Sequence, residues 1–397
     1  MVADVAKNEK ISSVEFPNGV TKDLVDIARV FEAISDPDKY VILFTAPSVR
    51  AALGDEFGMP YGTRVTGKMV AALKKFAFDK VYDMNFGADL TIMEEAHEFI
   101  ERFTKKDRLP MLTSCCPAWV KYCESRRPEF IPNISSTRSP QSIMGAAIKT
   151  YHAEKSGIDP KNIIVISAVP CTVKKAEAIR PEITTNGIPS VDIVITTREV
   201  ATMIKLAGID FPSLPDEGFD EGLMHHYTEG GAIFGITGGV MEAALRTAAD
   251  VLEGKDVQQL EYHDVRGLKD IKEATLELGG QTVRVAVAHG IVNAGRLLDA
   301  IAKGEAEYDF VEIMNCSGGC VNGPGQPKVS ADQKDKIDIR VERARALFEE
   351  GASLQYRKCH QNPDIIAMYE DYFGKPGSEK AHAYLHTYYA GQEAPVH

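Results

Sequence analysis

The sequence predicts an α/β fold in which mostly parallel, twisted sheets are flanked by helices. Three observations support this prediction. Short apolar runs rich in β-branched residues recur along the 397-residue chain, amphipathic segments separate most of them, and no internal repeat is visible. Strands that alternate with helices form βαβ units, whose parallel strands are buried on both faces of the sheet.

The apolar runs are the predicted strands, and the amphipathic segments between them are the predicted helices. In chain order the strands are expected at 39–46, 80–84, 109–114, 162–169, 191–196, 282–289 and 308–314. The helices are expected at 89–106, 139–155, 197–207, 239–253 and 290–303. Gly279 and Gly280, between two β-rich runs, predict a hairpin at a sheet edge. The stretch 211–222, rich in Pro, Gly and acidic residues, predicts a long loop.

The predicted domain organisation has one large body between two short terminal segments. Residues 1–35 are polar and weakly patterned and are expected to form an N-terminal extension. Residues 36–390 are expected to form two α/β lobes with a helical C-terminal part from about residue 332, followed by a tail at 391–397. In the C-terminal part, helices are expected at 332–350, 363–373 and 376–388.

Composition and charge indicate a soluble globular protein. The chain is 44% hydrophobic and 26% charged. Its formal charge of -12 and pI near 5.4 argue against binding to nucleic acid or to anionic membranes. No run of 18 apolar residues occurs, so membrane insertion is not expected. The first residues, MVADVAKNEK, lack the pattern of a secretory signal, and the cytoplasm is therefore the expected compartment.

Seven cysteines, an odd number, do not suggest a disulfide framework in a chain long enough to bury its own core. In a reducing compartment, clustered thiols are more often metal ligands or catalytic groups. Three clusters directly follow predicted strands: TSCCP at 113–117, PCTVKKAE at 170–177 and EIMNCSGGC at 312–320. Because the carboxyl ends of parallel strands converge on the crevice where ligands bind, we expect these thiols to meet there.

Cys116, Cys171, Cys316 and Cys320 together supply four thiolates, the number that a 4Fe-4S cluster needs. The glycines around the last two allow the backbone to approach a cluster and to point N–H groups at its negative charge. A structural zinc site and plain buried thiols are the alternatives. The spacing leaves them open, although no paired CxxC knuckles of the usual zinc kind occur.

The three cysteine motifs resemble those of the FeFe hydrogenases. In that family they read TSCCP, PCxxKxxE and ExMxCxGGCxxGxGQP, and this chain carries all three in order, at 113–117, 170–177 and 312–327. The resemblance extends over about residues 36–390 and includes FGADLTIMEEAHEF and FGITGGVMEAALR. It implies a two-lobed catalytic domain that reversibly reduces protons to H2 with electrons from ferredoxin or a similar carrier.

The resemblance also implies an H-cluster, which is a 4Fe-4S cluster joined to a two-iron subcluster with CO, CN and a bridging azadithiolate. Carried onto matching positions, Cys116, Cys171, Cys316 and Cys320 hold the 4Fe-4S part, and Cys320 is shared with the two-iron part. Lys174 matches the lysine that holds a cyanide ligand. The positions matching residues packed around the two-iron part are Pro47, Ser48, Ser139, Gln141, Phe234 and Met314.

A proton relay is the next implication of the resemblance. Cys115 matches the thiol that exchanges protons with the bridging amine, and Ser135 matches a relay hydroxyl. Glu95, Glu98 and Arg102 lie at i, i+3 and i+7 of a predicted helix and therefore share one face. The implied order outward is Cys115, Glu95, Ser135, Glu98 and Arg102. Without the resemblance, such a face is typical of solvated helix surface.

The cysteine count restricts the electron supply. Cys123 and Cys359 are the thiols left over, and two thiols cannot hold another cubane. The chain therefore resembles the minimal type of the family, in which ferredoxin docks directly or a separate iron-sulfur subunit supplies electrons. The basic stretches 73–76 and 102–108 are candidate docking faces, although each is more typical of ordinary solvated surface. The family's need for dedicated maturation proteins is also implied.

An alternative function is a non-catalytic iron-sulfur assembly or sensory protein of the same fold. Such relatives usually lack the residues that hold the two-iron unit, whereas Cys115, Lys174 and Met314 are present here. Two positions depart from the family pattern: Val169 stands where Met is common, and Pro324 stands where Gly is usual. Neither change removes a ligand.

Overall fold

Strands and helices alternate along the computed structural model, which describes residues 10–16 and 24–389. The strands are β1 (Tyr40–Thr45), β2 (Lys80–Asp83), β3 (Met111–Leu112), β4 (Ile163–Val169), β5 (Thr184–Thr185), β6 (Ile188–Pro189), β7 (Ile193–Thr196), β8 (Ile271–Leu278), β9 (Gln281–His289) and β10 (Phe310–Met314). The α-helices are α1 (Val25–Ser35), α2 (Thr66–Leu73), α3 (Met84–Lys105), α4 (Pro117–Arg126), α5 (Pro140–Ala147), α6 (Ala153–Ser156), α7 (Val173–Ala178), α8 (Thr197–Leu206), α9 (Glu229–Ala232), α10 (Gly239–Glu253), α11 (Ile291–Ala302), α12 (Ile339–Ala352), α13 (Pro363–Met368) and α14 (Glu379–Leu385). This alternation confirms the predicted α/β class.

The first sheet has the strand order β2-β1-β4-β7, and its strands are parallel. Leu43 of β1 pairs with Val81 of β2 on one side and with Ile166 of β4 on the other. Residues 41–44 are at most 2% exposed. Because successive side chains of a strand point to opposite faces, this burial means that both faces of the sheet are covered.

The second sheet has the order β3-β10-β9-β8. β10 runs parallel to β3 and β9, whereas β8 runs antiparallel to β9. The β8–β9 connection is the predicted hairpin. Gly279 and Gly280 at its turn have φ of 57° and 71°, a conformation that glycine adopts without a Cβ clash.

Three predicted helix starts were wrong, and a capping side chain explains each. α3 begins at Met84 instead of 89, because the Asp83 carboxylate accepts a hydrogen bond from the Asn85 N–H. α12 begins at Ile339 instead of 332, because the Asp338 carboxylate accepts from the Arg340 N–H. α14 begins at Glu379 instead of 376, because the Ser378 hydroxyl accepts a hydrogen bond from the Ala381 N–H. The predicted loop at 211–222 is confirmed apart from a short 3-10 turn at its start.

Part of the predicted N-terminal extension packs on the first sheet. α1 buries Ile27, Val30 and Phe31 in the core that also contains β1 and β4. Residues 1–9 and 17–23 of the extension and the tail at 391–397 lie outside the described residues. The domain boundaries at 36 and 390 stay predictions.

The carboxyl ends of the two sheets bring the cysteine motifs together. The first motif follows β3 and the third follows β10, both in the second sheet, whereas the second motif follows β4 in the first sheet. The functional cleft described below therefore lies where the two lobes meet.

Replacing Arg50 is expected to destabilise the fold, because Arg50 is fully buried and joins distant segments through Asp83 at 2.7 Å and Glu350 at 3.1 Å. Arg50→Ala leaves the buried Asp83 carboxylate without its cation and removes one of the two cations that pair with Glu350, which typically costs about 3–5 kcal/mol. Arg64→Ala is the matched control, since Arg64 also pairs with Glu350 but is partly exposed, and a loss of about 1 kcal/mol or less is expected. Urea unfolding followed by circular dichroism measures both, and equal losses would contradict the prediction.

Candidate active site

A cleft of about 580 Å³, counting the space at its open side, lies at the junction of the two lobes. Cys115 and Cys116 line it from the loop after β3, Cys171 from the loop after β4, and Cys320 from the loop after β10. Most of the other lining side chains are apolar. They are Ala46, Pro47, Met84, Ala88, Pro140, Val169, Pro170, Phe234 and Met314.

The four predicted ligand thiols lie close enough to influence one another. Burial raises the pKa of Cys320 well above its ordinary value, and Cys316, Cys116 and Cys171 add to the rise. Burial also raises the pKa of Cys316 to about 12, with contributions from Cys116 and Cys171. Cys316 does not line the cleft itself, but it belongs to the same thiol cluster. The expected convergence of the three motifs is present.

Glycines of the third motif are required by close backbone approach. Gly319 has φ of 99°, and a Cβ there would lie 2.6 Å from the Thr237 backbone nitrogen. A Cβ on Gly323 would lie 2.4 Å from the carbonyl oxygen of Pro170 in the second motif. The Gly325 N–H donates to that same oxygen at 2.7 Å. The glycine spacing thus fits the third motif directly against the second.

The donor set fits a multi-iron group better than a single ion. Within residues 10–16 and 24–389, no three His, Cys, Asp or Glu side chains are grouped to hold one metal ion. A tetrahedral zinc site would need four thiolates each about 2.3 Å from one centre. A 4Fe-4S cluster instead spreads its four thiolates over four irons. Cys123 and Cys359 are buried and do not line the cleft.

Lys174 places an ammonium group at the edge of the cleft. Its Nζ donates to Ser139 Oγ at 2.8 Å, to the Cys115 carbonyl at 3.1 Å and to Glu177 Oε2 at 2.8 Å. Burial opposes its charge, but the Glu177 carboxylate outweighs burial and the pKa of Lys174 is raised. Gln141 Nε2 donates to the same carboxylate at 3.0 Å. Lys174 is therefore a fixed cation that faces the thiols.

The other predicted cofactor-packing residues fall at or beside the cleft. Pro47, Ser48, Gln141, Phe234 and Met314 line it, whereas Ser139 contacts it through Lys174. The sequence prediction missed Met84, Ala88 and Glu177. Glu177 is the last residue of the second motif, and its i+3 spacing from Lys174 was the available signal. Of the two departures from the family pattern, Val169 lines the cleft, and Pro324 does not.

Glu95 is a buried carboxyl group beside the cleft. It is 0% exposed, and neither oxygen has a hydrogen-bond partner among the described residues. Burial raises the pKa of Glu95 to about 8, and the charge of Glu98 adds to the rise, although Ser114 and Ser135 lie close enough to oppose it in part. Burial is the main cause of the raised pKa of Cys115, and Glu95 adds to this rise. Glu95 is thus protonated at neutral pH.

Glu98 is an ionised carboxylate one helical turn further out. Its Oε2 accepts from Ser135 Oγ at 2.7 Å, and its Oε1 accepts from the Arg102 guanidinium at 2.6 Å. Burial opposes ionisation, but Arg102, His386 and hydrogen bonds more than offset it, so the pKa of Glu98 is lowered. Glu98, Arg102 and His382 line a depression at the surface. The five predicted relay residues therefore lie in sequence from cleft to surface.

Fold and donor set define an α/β protein with a cysteine-lined cleft suited to an iron-sulfur group. Residues 39–324 match the family model described as "Iron only hydrogenase large subunit, C-terminal domain". Residues 337–392 match the model described as "Iron hydrogenase small subunit". The chain belongs to the iron-only hydrogenase family, which confirms the resemblance seen in its motifs.

Similar proteins cover most of this chain. Iron hydrogenase 1 of Clostridium pasteurianum is 48% identical over 361 residues, which are 91% of this chain and 63% of that protein. The chain thus spans just under two thirds of that relative's length. The structure of apo [FeFe]-hydrogenase HydA1 from Chlamydomonas reinhardtii matches with a TM-score of 0.80 and 37% identity, covering 91% of this chain and 98% of that one. This match confirms the fold class.

Two further relatives differ in compartment or in described role. The periplasmic [Fe] hydrogenase large subunit of Nitratidesulfovibrio vulgaris is 48% identical over 303 residues, 76% of this chain and 72% of that protein. The cytosolic Fe-S cluster assembly factor narfl of Danio rerio is 33% identical over 390 residues, 94% of this chain and 92% of that protein.

Among the residues that the structure describes, none of the helices is long and apolar enough to cross a membrane.

Replacing Glu95 is expected to change how stability depends on pH. The ordinary pKa of this carboxyl is 4.5, and the folded protein raises it to about 8. Between these values the folded chain keeps a proton that the unfolded chain loses, so the stability of the unchanged protein falls as pH rises, by about 1.4 kcal/mol per unit. Glu95→Gln should match the unchanged protein near pH 4.5 and exceed it at pH 8.

Urea unfolding across this pH range measures the effect. Glu101→Gln is the control on the same helix, because Glu101 is exposed and pairs with Lys105. A difference between Glu95→Gln and the unchanged chain that stays constant with pH would show that Glu95 does not titrate as described.

Proposed function

We propose that this protein catalyses the reversible reduction of protons to H2 at a six-iron H-cluster. The observation that carries the proposal is that a cysteine-lined cleft adjoins a line of groups able to transfer protons. A cleft lined by Cys115, Cys116, Cys171 and Cys320 opens onto a line of alternating carboxyl and hydroxyl groups that ends at Arg102 near the surface. A thiol cluster alone would fit an electron carrier, but proton supply to the cluster fits a reaction that consumes protons.

The thiols of Cys116, Cys171, Cys316 and Cys320 would hold the 4Fe-4S part, with Cys320 shared with the two-iron subcluster that bears CO, CN and azadithiolate. When bound, this cofactor supplies the electrons and the site of H–H bond formation. The raised pKa values of Cys316 and Cys320 mean that binding must displace their protons. The Lys174 ammonium supports a nearby anionic ligand.

The remaining residues handle protons. Glu98 is ionised and takes a proton from the surface depression near Arg102. The Ser135 hydroxyl can accept this proton on its oxygen while it passes its own inward to Glu95. Glu95, with its raised pKa, exchanges with the Cys115 thiol. Of these groups Glu95 has the pKa nearest to a neutral working pH, which suits general acid-base transfer.

Electrons have to enter near the thiol cluster. Arg340 donates to Ser317 Oγ at 2.8 Å, beside Cys316. Arg340 itself pairs with Asp338 at 2.6 Å. The exposed Lys328, Lys334 and Lys336 form a surface that we call the basic ridge, in which Asp332 and Asp335 offset part of the positive charge. In the described part of the chain these lysines make no ion pair, so their charges are free to attract an acidic carrier. We propose that ferredoxin, or a separate iron-sulfur subunit, docks there.

The two docking faces considered from the sequence are less suitable. Their charges are largely neutralised by ion pairs of Lys74 with Asp220, Lys105 with Glu101, and Arg108 with Asp107. Electrostatic steering depends on net local charge. We therefore favour the basic ridge, whose three lysines make no ion pair among the described residues, over 73–76 and 102–108 as the proposed electron entry.

Maturation and compartment complete the proposal. Assembly of the two-iron subcluster is proposed to need dedicated maturation proteins. Free cysteines fit a reducing compartment, and the cytoplasm is the proposed location. A non-catalytic assembly role, as in the relative from Danio rerio, is the alternative, and it predicts a protein without CO and CN ligands.

The test is to produce the chain with hydrogenase maturation proteins, and to measure iron content, infrared bands of CO and CN, and H2 production. The unchanged chain is expected to show the bands and to produce H2. Glu95→Gln is expected to keep the bands and the iron while turnover falls about 100-fold or more, because one relay group is lost. The exposed Glu349, paired with Arg345, gives the control Glu349→Gln.

The outcomes separate two claims. Absence of the infrared bands from matured protein would overturn the enzyme proposal in favour of the assembly role. Bands with normal turnover in Glu95→Gln would overturn the relay assignment alone.

Docking at the basic ridge is tested by Lys328→Glu/Lys336→Glu. Because steering by exposed charges is screened by salt, ferredoxin-driven H2 production should fall about tenfold at low ionic strength and less at high. Production driven by a small viologen dye should be unaffected. Lys75→Glu/Lys106→Glu, which changes exposed lysines of the rejected faces, is the charge-matched control. An equal loss in the control would place docking elsewhere.

A further inference from the structure

A histidine from the small-subunit-like segment lies beside the outer relay carboxylate. His386 follows α14 and is 6% exposed. Its Nδ1 lies 2.8 Å from Ser136 Oγ, and Ser136 Oγ lies 3.1 Å from Glu98 Oε1. We propose that His386 is a positioning residue of the proton relay, which sets through the Ser136 hydroxyl how strongly Glu98 holds a proton.

The other ring nitrogen of His386 is fixed by a second buried carboxylate. Nε2 lies 2.9 Å from Glu94 Oε2. Glu94 also accepts from the Tyr369 hydroxyl and from the Gly377 N–H at 2.9 Å. The Glu94 side chain is 0% exposed. His386 therefore lies between Glu94 and, through one hydroxyl, Glu98.

Backbone pairing holds this arrangement in register. The Thr387 N–H donates to the Ser136 carbonyl at 2.8 Å, and the Arg138 N–H donates to the Leu385 carbonyl at 2.9 Å. The Arg138 Nε also donates to the His386 carbonyl at 2.9 Å. The segment after α14 is thus bound to the loop that carries the relay hydroxyl of Ser135.

The direction of the Ser136 hydroxyl depends on the state of the imidazole. When His386 carries both protons, Nε2–H donates to Glu94 and Nδ1–H donates to Ser136 Oγ, so the hydroxyl proton points to Glu98. When Nδ1 carries no proton, it competes for the hydroxyl proton, and Glu98 loses one donor. Fewer donors to a carboxylate raise its affinity for a proton.

The charged and titratable groups around the pair come from three elements. α3 supplies Glu94, Glu98 and Arg102, and Tyr369 comes from the turn after α13. His382 of α14 stacks on His386 with ring centroids 4.1 Å apart. The pKa values of Glu94 and Glu98 are both lowered, against burial, and His386 contributes to each.

The geometry of the pair does not depend on the cofactor, whereas its consequence for turnover rests on the proposed function. The first test therefore uses protein produced without maturation proteins. Infrared difference titration measures the pH at which Glu98 is half protonated, which we call its midpoint. The Glu98 band is assigned by its loss in Glu98→Gln. We expect the midpoint to rise by about one pH unit in His386→Gln. Ser136→Ala should also shift it upward, and His386→Gln should shift it less in the Ser136→Ala background than alone, because only the through-space effect of His386 on Glu98 then remains.

His360→Gln is the matched control. His360 has the same kinds of partner as His386, Thr247 Oγ1 at 3.2 Å and Asp250 Oδ2 at 2.9 Å, and lies outside the relay. The His360→Gln change should leave the Glu98 midpoint unchanged. An unchanged midpoint in His386→Gln, or equal additive shifts in the double variant, would overturn the proposal.

A second measurement leaves His386 in place, in case its replacement prevents folding. Coupling between two sites is reciprocal. Glu98→Gln should therefore lower the midpoint of His386 in a nitrogen-15 NMR titration, and the same change in a Ser136→Ala background should lower it less. No movement of the His386 midpoint would overturn the proposal, whether or not the matured protein makes H2. In matured His386→Gln, the acid limb of the pH profile should move upward with the Glu98 midpoint.

Discussion

The burial of sulfur is the constraint on which the rest of the site depends. Cys115 and Cys320 have strongly raised pKa values, chiefly because they are removed from water. Burial favours the neutral thiols even though Lys174 lowers their pKa values in part, whereas a metal ligand must be a thiolate. The apolar cleft therefore favours thiolates only with cationic iron bound, which makes metal binding and deprotonation one event. Lys174 is held charged by Glu177 and would support the remaining negative charge.

One helix connects this cleft to the surface. α3 contributes Met84 and Ala88 to the cleft and Arg102 to the outer depression. The 18 residues between the first and last of these span about 27 Å at 1.5 Å per residue. Glu95 and Glu98 lie on the same helix, but their pKa values are shifted in opposite directions. Burial and the charge of Glu98 raise the pKa of Glu95, whereas Arg102 and other partners outweigh burial at Glu98. This helix thus fixes the order of Glu95, Glu98 and Arg102 from the cleft to the surface.

Sequence periodicity was enough to predict the sheets, the hairpin and the convergence of the cysteine loops, because these follow from local pattern and parallel topology. It failed where a distant residue decides the outcome. Glu177 carried a spacing signal, but its contact with Gln141 depends on how α5 and α7 pack. The sequence around His386 carried no such signal, since its partners Ser136 and Glu94 lie about 250 to 290 residues earlier in the chain. The start of α3 depended on one cap, Asp83, within an apolar run.

The C-terminal segment is fixed by buried polar contacts as well as by apolar packing. Arg343 pairs with Asp55 at 2.8 Å, both nearly fully buried, and Glu350 pairs with Arg50 at 3.1 Å. Buried ion pairs add little net stability compared with apolar packing, but they penalise any arrangement that leaves a charge unpaired. A shift of this segment by one helical turn would separate these pairs. The same fixed position places His386 2.8 Å from Ser136 Oγ, so the packing of the C-terminal segment and the geometry of the proposed proton transfer have one physical origin.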